Sequence, residues 1–213
     1  MTVMFPVIMD LKERRCLIIG GGEVALRKVH NLLDCGAEIT VITPSPGQDL
    51  YRLAEERRLV LIERVFQDDD ILGSCLVFAA TNNKDVNERI HELAVKMNIP
   101  VNVVDDPENC SFFVPSTLRR GHLLISVSTE GYSPLLARKI RENLETVFGS
   151  EYEDYIELLG DSRELVKKLF NREEDRRMVF GAIIDLDLLP LVQSGRKQEA
   201  KERILQCIYS LRG

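Results

Sequence analysis

LIIGGGEVALRKV, residues 17–29, sets three of the chain's thirteen glycines side by side. On one side lies RCLIIG (15–20), a short β-rich run ending in glycine. On the other lies EVALRKVHNLLDCG (23–36), where Val24, Ala25, Leu26, Val29, Leu32 and Leu33 keep the three-to-four spacing of a helix and Gly36 supplies a C-terminal stop. Gly20, Gly22 and Ala25 fit G-x-G-x-x-A, the dinucleotide-binding pattern with alanine in the last place. The first glycine permits the tight turn. Gly22 withholds a side chain where a pyrophosphate approaches the backbone, and Ala25 lets the helix pack close to the strand. The helix start then offers unpaired N–H groups and a partial positive charge to phosphate.

The same alternation continues outward. EITVIT (38–43) reads as a strand closed by PSPG, QDLYRLAEERR (48–58) as a helix, LVLIERV (59–65) as a strand. CLVFAAT (75–81) is a near-continuous apolar run, as in a strand covered on both faces. KDVNERIHELAVKMN (84–98) is an amphipathic helix and PVNVVD (100–105) a fifth strand. This is β-α-β-α-β, a short connection, then β-α-β, which predicts a parallel sheet with helices on both faces and right-handed crossovers. Beyond residue 110 the pattern changes. SFFVPSTLRRGHLLISVST (111–129) predicts a hairpin or a return into the sheet. YSPLLARKIRENLETVF (132–148) predicts a helix with Ser133 as N-cap and Pro134 as its first residue. From 150 onward only helical patterns remain, punctuated by Gly149, Gly160, Gly181, Pro190 and Gly195. The expected segments are 1–112, 113–148 and 149–213.

Composition narrows the function. The net charge of −6 argues against a dedicated nucleic-acid binder, and 45% apolar with 29% charged residues is ordinary for a globular chain of 213 residues. No apolar run reaches the ~18 residues of a membrane span, and the N-terminal stretch has the wrong order for a signal peptide. The five cysteines (Cys16, Cys35, Cys75, Cys110, Cys207) form no C-x-x-C pair and read as free thiols in a reducing cytoplasm. His30, His91 and His122 show no ligand spacing, so no metal site is expected.

Three places carry candidate chemistry. The second strand ends in Thr43-Pro44-Ser45, without the acid that often takes the ribose hydroxyls and without an arginine for a 2′-phosphate. The Thr43 and Ser45 hydroxyls or nearby backbone are left for that work, and the absent arginine favours NAD. Asp105 and Asp106 stand at the carboxyl end of the fifth strand. Such an acid can move a proton near a bound nicotinamide, or it can cap the following turn. STEGYSPLLARKIR (128–141) is either an anion-binding helix start with Arg138, Lys139 and Arg141, or a capped helix with a solvated basic face.

GGGEVALRK, AATNN, NVVDDPENCSFFVPS and SVSTEGYSPLLARKIRE occur in this order over some 140 residues. Together they resemble the precorrin-2 dehydrogenase family, the siroheme synthase N-terminal type. The resemblance implies an α/β fold: a Rossmann-type NAD-binding domain (1–112), a dimerisation segment (113–148) and a small all-helical C-terminal domain (149–213). It implies a homodimer that oxidises precorrin-2 to sirohydrochlorin with NAD as hydride acceptor, and in some members inserts ferrous iron. Carried onto this sequence, the family's key aspartate falls on Asp105. Its cofactor contacts fall on Gly22, Glu23 and Val24, on Pro44 and Ser45, and around Thr81 and Asn82. The substrate's eight carboxylates call for basic residues, with Arg119, Arg120, Arg138 and Lys139 as candidates. The sequence ends at Gly213 without the methyltransferase region of some siroheme synthases. The expectation is therefore a stand-alone, cytoplasmic dehydrogenase, with ferrochelatase activity the less favoured addition. The competing reading is a regulatory NAD-sensing module without catalysis.

Overall fold

The computed structural model describes residues 4–212. The chain divides into two compact units, Met1–Val114 and Pro115–Gly213. The first is built on five parallel strands: β1 (Arg15–Ile19), β2 (Glu38–Ile42), β3 (Val60–Ile62), β4 (Leu76–Ala79) and β5 (Val101–Val103). Their order is β3-β2-β1-β4-β5. The crossovers carry α1 (Glu23–Leu33), α2 (Gln48–Glu55) and α3 (Lys84–Lys96). Strand residues alternate between two apolar layers. Cys16, Ile18, Val41 and Phe78 pack with Ala25, Val29 and Leu32 of α1 and Leu50 and Leu53 of α2. Leu17, Ile19, Ile42, Val77 and Ala79 pack with Ile90, Leu93 and Ala94 of α3 on the other face. Every residue of β4 is buried, as its continuous apolar run requires.

The helix ends differ slightly from the sequence expectation. α1 stops at Leu33, and Gly36 at φ +69° takes the left-handed turn that ends it. α2 stops at Glu55 rather than residue 58, because Arg57 adopts φ +57° and the Arg58 N–H closes back onto the Leu53 carbonyl at 2.9 Å. Asn98 does the same for α3, at φ +54°. β3 is three residues long rather than seven. It lies at the sheet edge, and the Arg64 N–H turns back to the Ile62 carbonyl at 3.1 Å.

The connection from β3 to β4 contains a short 3₁₀ turn, Asp68–Ile71. Arg64 forks onto Asp70, with Nη1–Oδ2 at 2.7 Å and Nη2–Oδ1 at 2.6 Å, and the Gln67 N–H donates to Asp70 Oδ2 at 2.7 Å. Arg15 reaches in from β1 to the Asp70 carbonyl (2.9 Å) and to Ser74 Oγ (2.8 Å). A polar loop is thereby tied to the first strand.

In the second unit, β6 (Ser116–Arg120) and β7 (Leu123–Val127) form an antiparallel hairpin of their own, so the alternative of a return into the parallel sheet does not occur. α4 (Pro134–Val147) follows, with Ser133 Oγ accepting from the Leu136 N–H at 3.3 Å as its cap. Then come α5 (Glu151–Leu169), α6 (Glu173–Ile184), α7 (Leu189–Gln193) and α8 (Lys197–Ser210), around Leu158, Val166, Val179, Ile183, Ala200 and Ile204. Gly160 and Gly181 do not punctuate these helices; they lie inside α5 and α6, exposed. Interior glycine costs a helix only about 1 kcal/mol. Burial of Leu158 and Val166 around one glycine, and of Val179 and Ile183 around the other, outweighs that. Among the described residues no helix is long and apolar enough to cross a membrane.

Candidate cofactor-binding site

The sheet's strand order reverses between β1 and β4, where a doubly wound sheet opens a crevice at the carboxyl ends of its strands. A cavity of about 780 Å³ lies in that region. Its wall comes from three loops: Gly20–Val24 after β1, Thr43–Gly47 after β2, and Ala80–Asn83 after β4. All nine residues proposed from sequence as cofactor contacts line it: Gly20, Gly22, Glu23, Val24, Thr43, Pro44, Ser45, Thr81 and Asn82. Val65, Phe66 and Val86 add apolar wall.

The three glycines have three separate reasons. Gly20 sits at φ +133°, and a Cβ there would stand 2.1 Å from the Ala80 carbonyl oxygen. A Cβ on Gly21 would meet the Ser45 carbonyl oxygen at 2.4 Å and Thr43 Oγ1 at 2.6 Å. Gly22 has extended backbone, φ −87°, and a Cβ there would meet nothing within 4 Å. Neither backbone conformation nor packing asks for glycine at 22, so the free space suits an approaching ligand. Gly22 is also the N-cap of α1 and supplies no side-chain cap. The first helical bond runs from the Leu26 N–H to the Gly22 carbonyl, which leaves the N–H groups of Glu23, Val24 and Ala25 ahead of it. These features fit a pyrophosphate.

Sequence reasoning missed the role of Gly47 and Asn87. The Gly47 N–H donates to the Gly21 carbonyl at 3.2 Å and ties the β2 loop to the glycine loop. In sequence Gly47 itself reads only as the end of the PSPG stop, while Pro44 and Ser45 beside it are cofactor candidates. Thr43 Oγ1 accepts from the Ser45 N–H at 3.3 Å, so that hydroxyl also shapes its own loop. Asn87 holds Thr81.

Asp105 does not line the cavity. It lies exposed on the turn after β5, at φ +59°, in the left-handed region that aspartate tolerates better than most residues. The turn is closed at its base by Cys110. Its Sγ accepts from the Val103 N–H at 3.2 Å, and the thiol lies 3.2 Å from the carbonyls of Val103 and Asp106. Burial pushes the Cys110 thiol pKa up, which keeps it protonated and able to donate. Asp106 takes the turn role: it precedes the 3₁₀ turn Pro107–Asn109 and accepts from Asn109 Nδ2 at 2.8 Å. Asn102, buried inside β5, donates to the Phe112 carbonyl at 3.1 Å and fixes the chain's return. Lys28 of α1 is half-buried over the Phe78 ring, 5.3 Å from its centre; burial, then the Arg27 charge, lowers its pKa.

The basic candidates of the second unit divide. Arg138 pairs with Glu142 at 2.8 Å, and Arg141 with Glu142 and Glu145. Arg120 Nε donates to the Phe148 carbonyl at 3.1 Å. Arg119 and Lys139 are exposed and make no ion pair among the described residues. Among the described residues no group of three or more His, Cys, Asp or Glu side chains is placed to hold a metal ion.

Several known proteins resemble this chain. The siroheme synthase of Vesicomyosocius okutanii subsp. Calyptogena okutanii (strain HA) is 39% identical over 196 residues, covering 92% of this chain and 42% of the relative. That of Ruthia magnifica subsp. Calyptogena magnifica is 37% identical with the same coverage. The chain thus spans 42% of the length of these curated relatives. The solved structure of SirC, precorrin-2 dehydrogenase, matches with a TM-score of 0.79 at 27% identity, over 97% of this chain and 100% of that one. A family described as "Sirohaem biosynthesis protein central" matches residues 120–146. The family described as "Putative NAD(P)-binding" matches residues 7–116, more than half of the chain, and to this NAD(P)-binding family the chain belongs.

Proposed function

We propose that this protein is a precorrin-2 dehydrogenase, oxidising precorrin-2 to sirohydrochlorin for siroheme biosynthesis. The observation that carries this reading is the end-to-end likeness to a solved precorrin-2 dehydrogenase, over 97% of this chain and 100% of that chain. The cavity at the strand-order reversal supports it independently.

Bound NAD supplies a ring that accepts a hydride. The chain's residues do the rest. The Gly22 backbone and the first N–H groups of α1 would hold the pyrophosphate. Thr43, Pro44 and Ser45 would receive the adenosine ribose, and the Ala80–Asn83 wall the other half of the cofactor. Among the described residues Glu23 is the one charged residue lining the cavity. A 2′-phosphate would find no cation there, which favours NAD over NADP. Precorrin-2 and NAD⁺ become sirohydrochlorin, NADH and one proton. Asp105, exposed and free of side-chain hydrogen bonds among the described residues, takes that proton.

In this reading residues 113–148 form the dimerisation segment of a cytoplasmic homodimer and residues 149–213 the helical domain. α4 and its approach support the dimer: Tyr132, Leu135 and Val147 are 71%, 78% and 62% exposed. An apolar surface of that kind calls for a covering partner. Asp105→Ala tests the chemistry. NAD should bind as in the wild type while turnover with precorrin-2 falls about 10²–10⁴-fold. Equal turnover in the variant would remove Asp105 from the mechanism. A wild-type protein that binds NAD but never oxidises precorrin-2 would be a sensing module instead.

A further inference from the structure

α3 buries Ile90, Leu93 and Ala94 against the sheet, with Val86 partly buried beside them, and Asn87 lies among them at 8% exposure. An amide at a core position costs free energy unless its groups are bonded, and here they all point at one residue. Asn87 Oδ1 accepts from Thr81 Oγ1 at 2.7 Å and from the Thr81 N–H at 3.4 Å. Asn87 Nδ2 donates to the Thr81 carbonyl at 3.0 Å. The amide therefore grips both main-chain groups and the hydroxyl of Thr81. Its orientation is fixed, since the flipped amide would face donor to donor and acceptor to acceptor. Thr81 Oγ1 also accepts from the Asn83 N–H at 3.2 Å, and Asn83 Oδ1 caps α3 through the N–H groups of Asp85 and Val86. The chain from β4 into α3 is one hydrogen-bonded knot, and its outer surface is cavity wall: Ala80, Thr81, Asn82 and Asn83.

In the NAD reading that wall would face one half of the cofactor. With the pyrophosphate at the start of α1 and the adenosine ribose at the end of β2, the nicotinamide half falls to the end of β4. We propose that Asn87, which does not line the cavity, is a positioning residue for the nicotinamide half of the cofactor, acting through Thr81. The proposal rests on the reading of the cavity as an NAD site. Without Asn87 the Thr81 N–H and carbonyl lose their side-chain partner, the hydroxyl is left with the Asn83 carbonyl at 3.0 Å, and the wall loosens. The glycine loop and the β2 loop, held to each other by Gly47 and Gly21, are untouched.

The test separates the two halves of the ligand. The full chain is titrated calorimetrically with NAD and with ADP, which carries the adenosine and pyrophosphate but no nicotinamide. Asn87→Ala removes the grip. Asn87→Asp keeps the size and the acceptor oxygen but cannot donate to the Thr81 carbonyl. The expected result is an NAD Kd raised about tenfold in Asn87→Ala, equivalent to ~1.4 kcal/mol, and raised in the same direction in Asn87→Asp, with ADP affinity unchanged in both. Parallel weakening of NAD and ADP would show a general structural role and overturn the proposal. So would unchanged NAD affinity, or failure of both variants to fold by circular dichroism. A wild-type protein that does not bind NAD would overturn the cofactor reading itself and the proposal with it. Wild-type binding of NAD that both variants match would overturn the proposal alone.

Discussion

Gly22 is the glycine of the run whose missing side chain leaves open space, and that gives it a distinct mutational signature. Gly22→Ala should fold normally, costing at most a few tenths to about 1 kcal/mol through the altered cap. It should weaken NAD binding about tenfold or more, because the new methyl enters the space where the pyrophosphate meets the backbone. Gly20→Ala should act mainly on stability. A Cβ 2.1 Å from a backbone carbonyl at φ +133° forces β1 and β4 apart. A loss of roughly 2–4 kcal/mol is expected. Thermal unfolding followed by circular dichroism and an NAD titration on each variant separate the two effects. Gly20, Gly22 and Ala25 were legible in sequence because the pattern that names them is local. Gly21 was not. Its constraint comes from Thr43 and Ser45, more than twenty positions away, and only the folded sheet brings them together. Asn87 was hidden for a similar reason: on a helical wheel it reads as a polar lapse in an apolar stripe.

The β3–β4 connection shows how an element with little apolar content is held. Asp70 is nearly buried, with its side chain 11% exposed, and accepts both forks of Arg64. Those hydrogen bonds, aided by the Gln67 N–H and the charges of Arg64 and Arg15, hold its carboxyl below the usual carboxylate range. A carboxyl depressed by folding stabilises the protein fully above its unfolded value, about 3.9. That contribution fades as pH falls through the lower folded value. Asp70→Asn should therefore cost roughly 1–3 kcal/mol at neutral pH. The cost should stay level down to about pH 4 and shrink below it. Urea unfolding by circular dichroism at a series of pH values checks this; a gap between wild type and variant that persists unchanged at pH 2 would contradict it. In sequence this segment is only a short acidic connection, because Arg15 sits on another strand and Arg64 reads as part of the strand LVLIERV. The regular elements were read from periodicity, whereas their ends depended on left-handed residues such as Arg57 and Asn98, which no composition rule singles out.

At the scale of the molecule, the α/β alternation foretold the parallel sheet, and the strand-order reversal then dictates where a ligand can enter. The nine cofactor candidates converge on one cavity because they sit on the loops that the reversal gathers. Asp105 belongs to a different loop, after the edge strand β5. The proposed role of Asp105 in proton transfer is therefore separate from the cofactor cavity, and in sequence the resemblance alone assigned it to that residue. The most direct measurement is made without oxygen: purified protein is mixed with precorrin-2 and NAD, and the absorbances of sirohydrochlorin and NADH are followed together. The account predicts that both rise in equal amounts, and that neither rises when NAD is left out. Folded protein that binds NAD yet leaves precorrin-2 unoxidised would contradict it.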